Sequence, residues 1–113
     1  MTEEIYTNTW DEGNYRCSHC GQVLFDSDAK FKSGTRWPSF RSARPGTIHT
    51  RPDHSLGMER TEILCSRCGQ HLGHVFPDGE ISGDTHPAAG NRFCVLSSAL
   101  VFAEKEVPGK KEH

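Results

Sequence analysis

The feature that most constrains this chain is a pair of Cys-x-x-Cys motifs with nearly the same sequence. Residues 17–24 (the first knuckle) read CSHCGQVL and residues 65–72 (the second knuckle) read CSRCGQHL, so six of eight positions are identical. Together they supply four thiolates, which complete the tetrahedral ligand shell of a structural zinc ion. The two cysteine pairs are 44 residues apart, and a compact zinc ribbon has about 15–20. The metal would therefore join two distant parts of one domain, through Cys17, Cys20, Cys65 and Cys68.

The same four cysteines could instead form two disulfides. The first five residues, MTEEI, lack the basic start and apolar run of a secretory signal, and no segment is long and apolar enough to span a membrane. We therefore expect a cytoplasmic protein with no membrane partner. In that reducing compartment paired Cys-x-x-Cys motifs favour metal over disulfide, which predicts one structural zinc ion per chain.

Composition and patterning predict a mainly β fold. Only 34% of the 113 residues are hydrophobic, so a structural metal would support a small core. No long segment has a 3.6-residue period, whereas short apolar and β-branched segments alternate with turn signals. The predicted strands are 15–17, 23–25, 59–64, 71–76, 92–96 and 99–104. Residues 33–47 and 81–91 are predicted loops, and residues 26–28 could begin one helical turn.

One domain is expected over residues 15–105, because the length suits a single domain. Residues 1–14 are predicted to be a weakly ordered segment anchored by Trp10, and residues 106–113 a polar tail. The net charge is −2, with acidic and basic residues interspersed. This balance disfavours a nucleic-acid partner, which usually selects a basic face.

Cys94 is left over once the knuckles are assigned. In a strand over residues 92–96, alternating side chains put Arg92, Cys94 and Leu96 on one face. A guanidinium beside a thiol favours the thiolate, which is the nucleophilic form. The alternative is a small buried hydrophobic residue, which is common for unpaired cysteines. The residues alone leave both interpretations open.

Two histidines and a tryptophan are further candidates. His71 and His74 follow the second knuckle, and each could be an acid–base group near Cys94 or a hydrogen-bonded structural residue. His71 could also be a metal ligand, although four thiolates already complete the shell. Trp37 precedes a proline in a glycine-containing loop, so it adopts extended or turn geometry and is either a pocket wall or a core residue.

These motifs together resemble those of the methionine sulfoxide reductase B family, from about residue 15 to residue 102. The resemblance rests on both knuckles, on SGTRWPSF at 33–40, GMERTE at 57–62, HLGHVFPDG at 71–79 and RFC at 92–94. It implies two antiparallel sheets of the Mss4-like, SelR-type β fold, stapled by a four-cysteine zinc site away from the active face. It also implies reduction of methionine-R-sulfoxide, protein-bound or free, to methionine.

The resemblance further implies a role for each candidate residue. Cys94 would attack the sulfoxide sulfur and become a sulfenic acid, with Arg92 supporting its thiolate. His71 and His74 would bind or protonate the sulfoxide oxygen. Trp37 and Phe40 would contact the substrate.

Two positions depart from the family pattern. Many members have a resolving cysteine where this chain has Thr35, and an asparagine where it has Leu96. With five cysteines and four of them assigned to the metal, the sequence holds no further cysteine that could resolve a sulfenic acid on Cys94. We therefore expect thioredoxin or another external thiol to complete the cycle. Two other hypotheses are a non-catalytic zinc-bound β module that binds a protein and a nucleic-acid zinc ribbon. The charge balance and the long gap between the knuckles disfavour the ribbon.

Overall fold

The computed structural model describes residues 5–7, 9–87 and 89–104, and this part of the chain folds as short strands with three 3-10 helical turns. The helical turns are Ser27–Ala29, Ser55–Gly57 and Ser97–Ala99. The strands are β1 (Gly13–Cys17), β2 (Val23–Asp26), β3 (Lys30–Phe31), β4 (Ser39–Phe40), β5 (Ile48–Asp53), β6 (Arg60–Cys65), β7 (His71–Phe76), β8 (Arg92–Val95) and β9 (Leu100–Glu104).

The strands form two antiparallel sheets, which confirms the predicted fold class. The smaller sheet has the order β2-β1-β9, and the larger has the order β3-β4-β8-β7-β6-β5. Every strand pair is antiparallel. Strand β8 therefore lies in the interior of the larger sheet, between β4 and β7.

An aromatic cluster joins the two sheets. Tyr15 of β1 and Phe25 of β2 contact Phe40 of β4, with ring centroids 5.0 and 4.4 Å apart. All three side chains are fully buried. Burying a large aromatic side chain contributes roughly 2–3 kcal/mol, so these three residues account for much of what a small core can supply.

Three strands were not predicted from the sequence. The predicted loop 33–47 contains β4, whose two residues are too few to show alternation. Strand β3 is equally short. Strand β5 is mostly exposed and contains Pro52, so it shows neither alternation nor strand propensity. It lies at the edge of the larger sheet, where a proline is tolerated because one side of the strand has no ladder to join.

Other boundaries differ by one or two residues. Strand β1 begins at Gly13, β6 at Arg60, and β8 ends at Val95, one residue before Leu96. Leu96 instead precedes the helical turn Ser97–Ala99 and packs against the core. The predicted helical turn after Asp26 is present. The described part of 81–91 has no strand, as predicted. This loop is fixed by the buried Asp84, whose two carboxylate oxygens accept hydrogen bonds from Arg41 at 2.8 and 3.0 Å.

The chain before β1 contacts the domain at several points. Lys30 places its Nζ 3.9 Å from the centre of the Trp10 ring and donates to the Thr7 and Thr9 carbonyl groups.

The prediction for 1–14 partly concerns residues outside the described ranges, and the predicted tail 106–113 lies entirely outside them. The helical turns within the described ranges are three residues each, and none could cross a bilayer.

Candidate active site

Cys94 lies in β8 with a strand on each side. The register pairs it with Ser39 of β4 and with His74 of β7. Its side chain is partly exposed and is not disulfide-bonded. This position favours the functional interpretation of Cys94, because a partly exposed thiol between polar neighbours differs from a small buried hydrophobic residue.

Arg92 is fixed beside this thiol. Its guanidinium donates to both carboxylate oxygens of Asp78, at 2.9 and 3.2 Å, and lies 4.6 Å from the centre of the Phe76 ring. The Asp78 carboxylate raises the pKa of Arg92, although burial acts in the opposite direction. The Cys94 thiol accepts a hydrogen bond from Arg92 and raises the same pKa further. A fixed cation in contact with a thiol favours the thiolate.

A β-bulge brings the two histidines onto one face. The register of β6 with β7 pairs Ile63 with Gly73 and Leu64 with His71, which leaves Leu72 as the extra residue. In a regular strand, residues three apart point to opposite faces. Here the His71 and His74 rings lie edge to face, with centroids 5.5 Å apart.

Gly73 makes this bulge possible. Its φ is +154°, and a Cβ at this position would lie 2.0 Å from the backbone oxygen of Cys94. A side chain cannot fit there, because real Cβ contacts are never so short. The close approach of β7 to β8 at Cys94 therefore requires glycine.

His74 is hydrogen-bonded to a carboxylate on the edge strand. Its Nε2 lies 2.7 Å from Asp53 Oδ2, and Arg60 contacts the same oxygen at 3.3 Å. The His74 hydrogen bond holds the pKa of Asp53 far below its usual range, and Ser55 acts in the same direction. Asp53 is therefore an anion that orients the His74 ring.

His71 has an equivalent pair. Its Nδ1 lies 2.6 Å from Glu62 Oε2, while Arg51 contacts Glu62 Oε1 at 2.8 Å. Although burial acts in the opposite direction, Arg51 and His71 lower the pKa of Glu62. The His71 side chain is 43% exposed and that of His74 is 17% exposed. Each histidine thus contacts a carboxylate, His71 through Nδ1 and His74 through Nε2, and the His71 side chain is the more exposed.

The loop of Trp37 is attached to β8. The Pro38 carbonyl accepts a hydrogen bond from Val95 N at 3.2 Å, and the Trp37 residue is 36% exposed. A hydroxyl network lies within the loop, where Ser33 Oγ contacts Thr35 Oγ1 at 2.9 Å and Ser39 Oγ at 2.8 Å. Trp37 is thus a partly exposed ring on a fixed loop, and it is not a core residue.

Phe40 occupies a different environment. Its side chain has 0% exposure and stacks on Phe25 in the core. It shares the loop motif with Trp37, but β4 directs it inward. This placement gives no support to a substrate contact by Phe40.

The carboxylates that position the two histidines and Arg92 were not identified from the sequence. Asp53 lies in the unpredicted strand β5, and Glu62 gave no signal beyond its place in a predicted strand. Asp78 gave no signal beyond its place in the motif HLGHVFPDG, and it lies 14 residues before Arg92. No sequence signal connects Asp78 with Arg92, because the fold brings the two residues together.

The four knuckle cysteines form a separate cluster that can hold a metal ion. Their sulfur atoms all lie within 4.8 Å of one another. None is disulfide-bonded, and Cys17 Sγ lies 3.5 Å from Cys68 Sγ and Cys20 Sγ lies 3.6 Å from Cys65 Sγ. Burial, together with the neighbouring thiols, raises the pKa of Cys68 to about 12. Four cysteine sulfurs this close together are the donor set of a tetrahedral metal site, so the cluster fits a metal ion.

His71 is not part of this cluster, which among the described residues consists of the four cysteines. Its Nδ1 is engaged by Glu62 instead. The structure thus brings Cys94 together with His74 and Arg92 and places His71 beside His74. Neither Cys94 nor the two histidines belong to the four-cysteine cluster.

Comparison with known proteins gives a consistent result. The SelR domain family model matches residues 1–104. Peptide methionine sulfoxide reductase MsrB of Thiobacillus denitrificans is 49% identical over 110 residues, which covers 93% of this chain and 79% of that protein. The protein of the same name from Leptospira interrogans is 48% identical over 106 residues, covering 93% and 76%. The one from Methanosarcina mazei is 45% identical over 109 residues, covering 96% and 73%.

A solved structure supports the fold alone. The crystal structure of the Mis18 "Yippee-like" domain matches with a TM-score of 0.65 at 18% identity, covering 85% of this chain and 99% of that chain. At this identity the match shows a shared architecture of sheets.

Proposed function

This chain belongs to the SelR domain family, and on that premise we propose that it reduces methionine-R-sulfoxide to methionine with Cys94 as the nucleophile. The family and its relatives named peptide methionine sulfoxide reductase MsrB identify an oxidoreductase. The observation that carries the proposed mechanism is the position of Cys94, which pairs with His74 in the sheet while the guanidinium of Arg92 contacts its thiol.

The reaction begins with attack of the Cys94 thiolate on the sulfoxide sulfur. The sulfoxide oxygen takes up a proton as its bond to sulfur breaks, and it ends on Cys94 as a sulfenic acid while methionine leaves. Cys94 is oxidised by two electrons and the substrate is reduced by two. The sulfenic acid is the reversible first step of thiol oxidation.

The histidines supply hydrogen bonds or a proton to the sulfoxide oxygen. A proton-donating group is required because the oxygen is a poor leaving atom until it is protonated. Each ring has one nitrogen held by a carboxylate, Asp53 for His74 and Glu62 for His71. The other ring nitrogen is then the one that meets the substrate.

Trp37 forms the wall against the substrate methyl group. Its loop is fixed to β8 next to Cys94, and its ring is partly exposed. A flat apolar wall accepts a methyl group and disfavours the sulfoxide oxygen, which selects one epimer at the chiral sulfur.

An external thiol, such as thioredoxin, reduces the sulfenic acid. Its first thiol forms a mixed disulfide with Cys94 and releases water, and a second thiol frees Cys94. The support is the cysteine count, since four of the five cysteines form the metal cluster. The residue at the resolving position is Thr35, whose hydroxyl is part of the loop network.

The metal in the four-cysteine cluster is zinc. Zn–S bonds of about 2.3 Å in a tetrahedron require sulfur atoms about 3.8 Å apart. Two of the sulfur pairs here are 3.5 and 3.6 Å apart, and all four sulfurs lie within 4.8 Å of one another. Zinc would hold the two knuckles together and supply no step of the reaction.

The test is the reduction of each epimer by dithiothreitol, for the wild-type protein and for Cys94→Ser. We expect turnover of the R epimer only, and a loss of at least about 1000-fold in the variant. Without reductant, one turnover should leave a sulfenic acid on Cys94. Metal content and circular dichroism serve as controls for folding. Preference for the S epimer, activity in Cys94→Ser, or a stoichiometric disulfide from Cys94 within the chain would each contradict part of the proposal.

A further inference from the structure

The only two glutamines of the chain, Gln22 and Gln70, occupy the same position in the two knuckles. The surrounding backbone is also equivalent. In the first knuckle Cys17 N donates to Gln22 O at 2.8 Å, and in the second Cys65 N donates to Gln70 O at 2.9 Å. The two glutamines are therefore related by an approximate local two-fold symmetry around the four sulfur atoms.

Each glutamine side chain crosses to the opposite knuckle. Nε2 of Gln22 lies 3.4 Å from Sγ of Cys65, and Nε2 of Gln70 lies 3.4 Å from Sγ of Cys17. These are hydrogen-bonding distances for an N–H donor and a sulfur acceptor. Each amide thus contacts the first cysteine of the other motif.

The neighbours of Gln22 fix the orientation of its amide. Nε2 also lies 3.3 Å from the carbonyl oxygen of Thr47 and 3.3 Å from Oγ of Ser66. The Ser66 hydroxyl donates its proton to the Gly46 carbonyl at 2.8 Å, so its oxygen is an acceptor. Because all three neighbours accept, the NH2 group of Gln22 must face them.

Gln70 has the equivalent neighbours. Nε2 lies 3.2 Å from the carbonyl oxygen of Ala99 and 3.3 Å from Oγ of Ser18. The Ser18 hydroxyl donates to the Ser98 carbonyl at 3.1 Å. The same set of acceptors therefore orients both amides.

The backbone of each glutamine contacts a second cysteine. The Gln22 N–H donates to the thiol of Cys20, and the Gln70 N–H donates to that of Cys68. Each glutamine thus reaches the second cysteine of its own knuckle through the backbone and the first cysteine of the other through its side chain. Together the two residues contact all four sulfurs.

Four thiolates around one divalent ion carry a net charge of −2, and N–H donors stabilise this excess negative charge. We propose that Gln22 and Gln70 form a reciprocal amide clamp, which holds the two knuckles in position and strengthens metal retention by the four-cysteine cluster. They are positioning residues that act through the thiolates. The clamp is independent of the chemistry at Cys94.

The test compares Gln22→Met, Gln70→Met and the double variant with wild type, since methionine keeps most of the volume and removes the donor. Zinc affinity is measured by competition with a chromogenic chelator. We expect each single variant to bind zinc about 10-fold more weakly, as is typical when a partner of a metal ligand is lost. By symmetry the two losses should be equal, within about threefold. His19→Ala, an exposed position in the first knuckle, is the control and should match wild type.

The cobalt-substituted proteins provide a readout specific to the sulfur contact. Loss of an N–H donor raises the energy of the thiolate electrons, so the thiolate-to-cobalt charge-transfer band should move to longer wavelength in each methionine variant. If a variant fails to fold, Gln22→Asn and Gln70→Asn, which keep an amide but shorten its reach, replace it with the same expectations. Zinc affinity within twofold of wild type, an unchanged cobalt band, or an effect confined to one of the two glutamines would overturn the reciprocal clamp.

Discussion

The four-cysteine cluster and the proposed active site are encoded in different ways in one small fold. The metal cluster comes from two eight-residue repeats, and each repeat closes on itself through equivalent bonds, from Gly21 N to Cys17 O and from Gly69 N to Cys65 O, both 2.8 Å. The proposed active site has no such local unit. Its residues come from several strands and the loops between them, and the sheet register brings them together.

Because of this difference, we expect the four-cysteine cluster to determine the stability of the domain and the sheet register to determine the chemistry at Cys94. Each knuckle is a local turn, but the cluster ties together parts of the chain far apart in sequence, so losing one ligand should affect the whole domain. The active site depends on placement within an already folded sheet. Substitutions there should alter activity more than folding, except where two strands make their closest contact.

The largest expected effect comes from Cys65→Ser. It removes a buried ligand, and structural zinc binding supplies about 10–16 kcal/mol in small domains, so we expect a largely unfolded chain with no bound metal. Cys94→Ser should keep its metal and change the free energy of unfolding by less than about 1 kcal/mol. Circular dichroism, thermal unfolding and metal analysis make the comparison.

Two outcomes would remove this contrast. A folded Cys65→Ser protein without metal would show that the core is sufficient by itself. Loss of zinc in Cys94→Ser would show that the two sites are coupled.

The same difference between local and long-range structure explains which parts of the fold and of the candidate site could be predicted from the sequence. The four cysteines of the cluster were identified from the repeat alone, because the geometry of each knuckle is local. Strands β6 and β7 and the central strand β8 were found within one or two residues, because their apolar residues lie between clear turn signals. Strand β5 was missed, since an exposed edge strand has no alternation, and Asp53 was missed with it.

The arrangement of the histidines could not be predicted for a different reason. A spacing of three residues places two side chains on opposite faces of a regular strand. The bulge at Leu72 reverses this, but it results from the pairing of β6 with β7. No local signal other than Gly73 marks its position.

Gly73→Ala should give the second largest effect. The new Cβ would lie 2.0 Å from the Cys94 backbone oxygen, at a φ of +154°. Overpacking and backbone strain each cost about 1–3 kcal/mol, so we expect a loss of roughly 3 kcal/mol in the free energy of unfolding. Because the strain falls at Cys94, activity should fall further than stability alone explains, measured under conditions where the variant is folded.

Gly90→Ala is the matched control. A Cβ there meets no described atom within 4 Å, so we expect a change within about 0.5 kcal/mol. Equal effects of the two substitutions would mean that the β7–β8 approach is not the cause. A fully active Gly73→Ala protein would show that the active site tolerates a wider separation of the strands.

The smallest expected effects concern the carboxylates, and they compare the two histidines directly. Asp53→Asn and Glu62→Gln keep the size of each side chain but remove the charge that orients the ring. Misplacing a group that assists the reaction can cost up to about 100-fold, so we expect kcat/KM to fall about 10- to 100-fold for Asp53→Asn. Glu62→Gln should cost less than about 10-fold, because its histidine is more exposed, at 43% against 17%. Steady-state kinetics with the R epimer measure both.

A pH series identifies the cause of the Asp53 effect. The pKa of Asp53 is held below its usual value, chiefly by His74, so the unfolded chain binds more protons than the folded one as the pH falls. Its contribution to stability is complete above the unfolded pKa of about 3.9 and is lost as the pH falls toward the lower folded pKa. Asp53→Asn lacks this titration, so its stability should fall less steeply than that of wild type below about pH 4. If the acid-unfolding curves of the two proteins are parallel, the contact with His74 does not lower the pKa of Asp53. If kcat/KM is unchanged in Asp53→Asn, His71 is the principal partner of the sulfoxide oxygen.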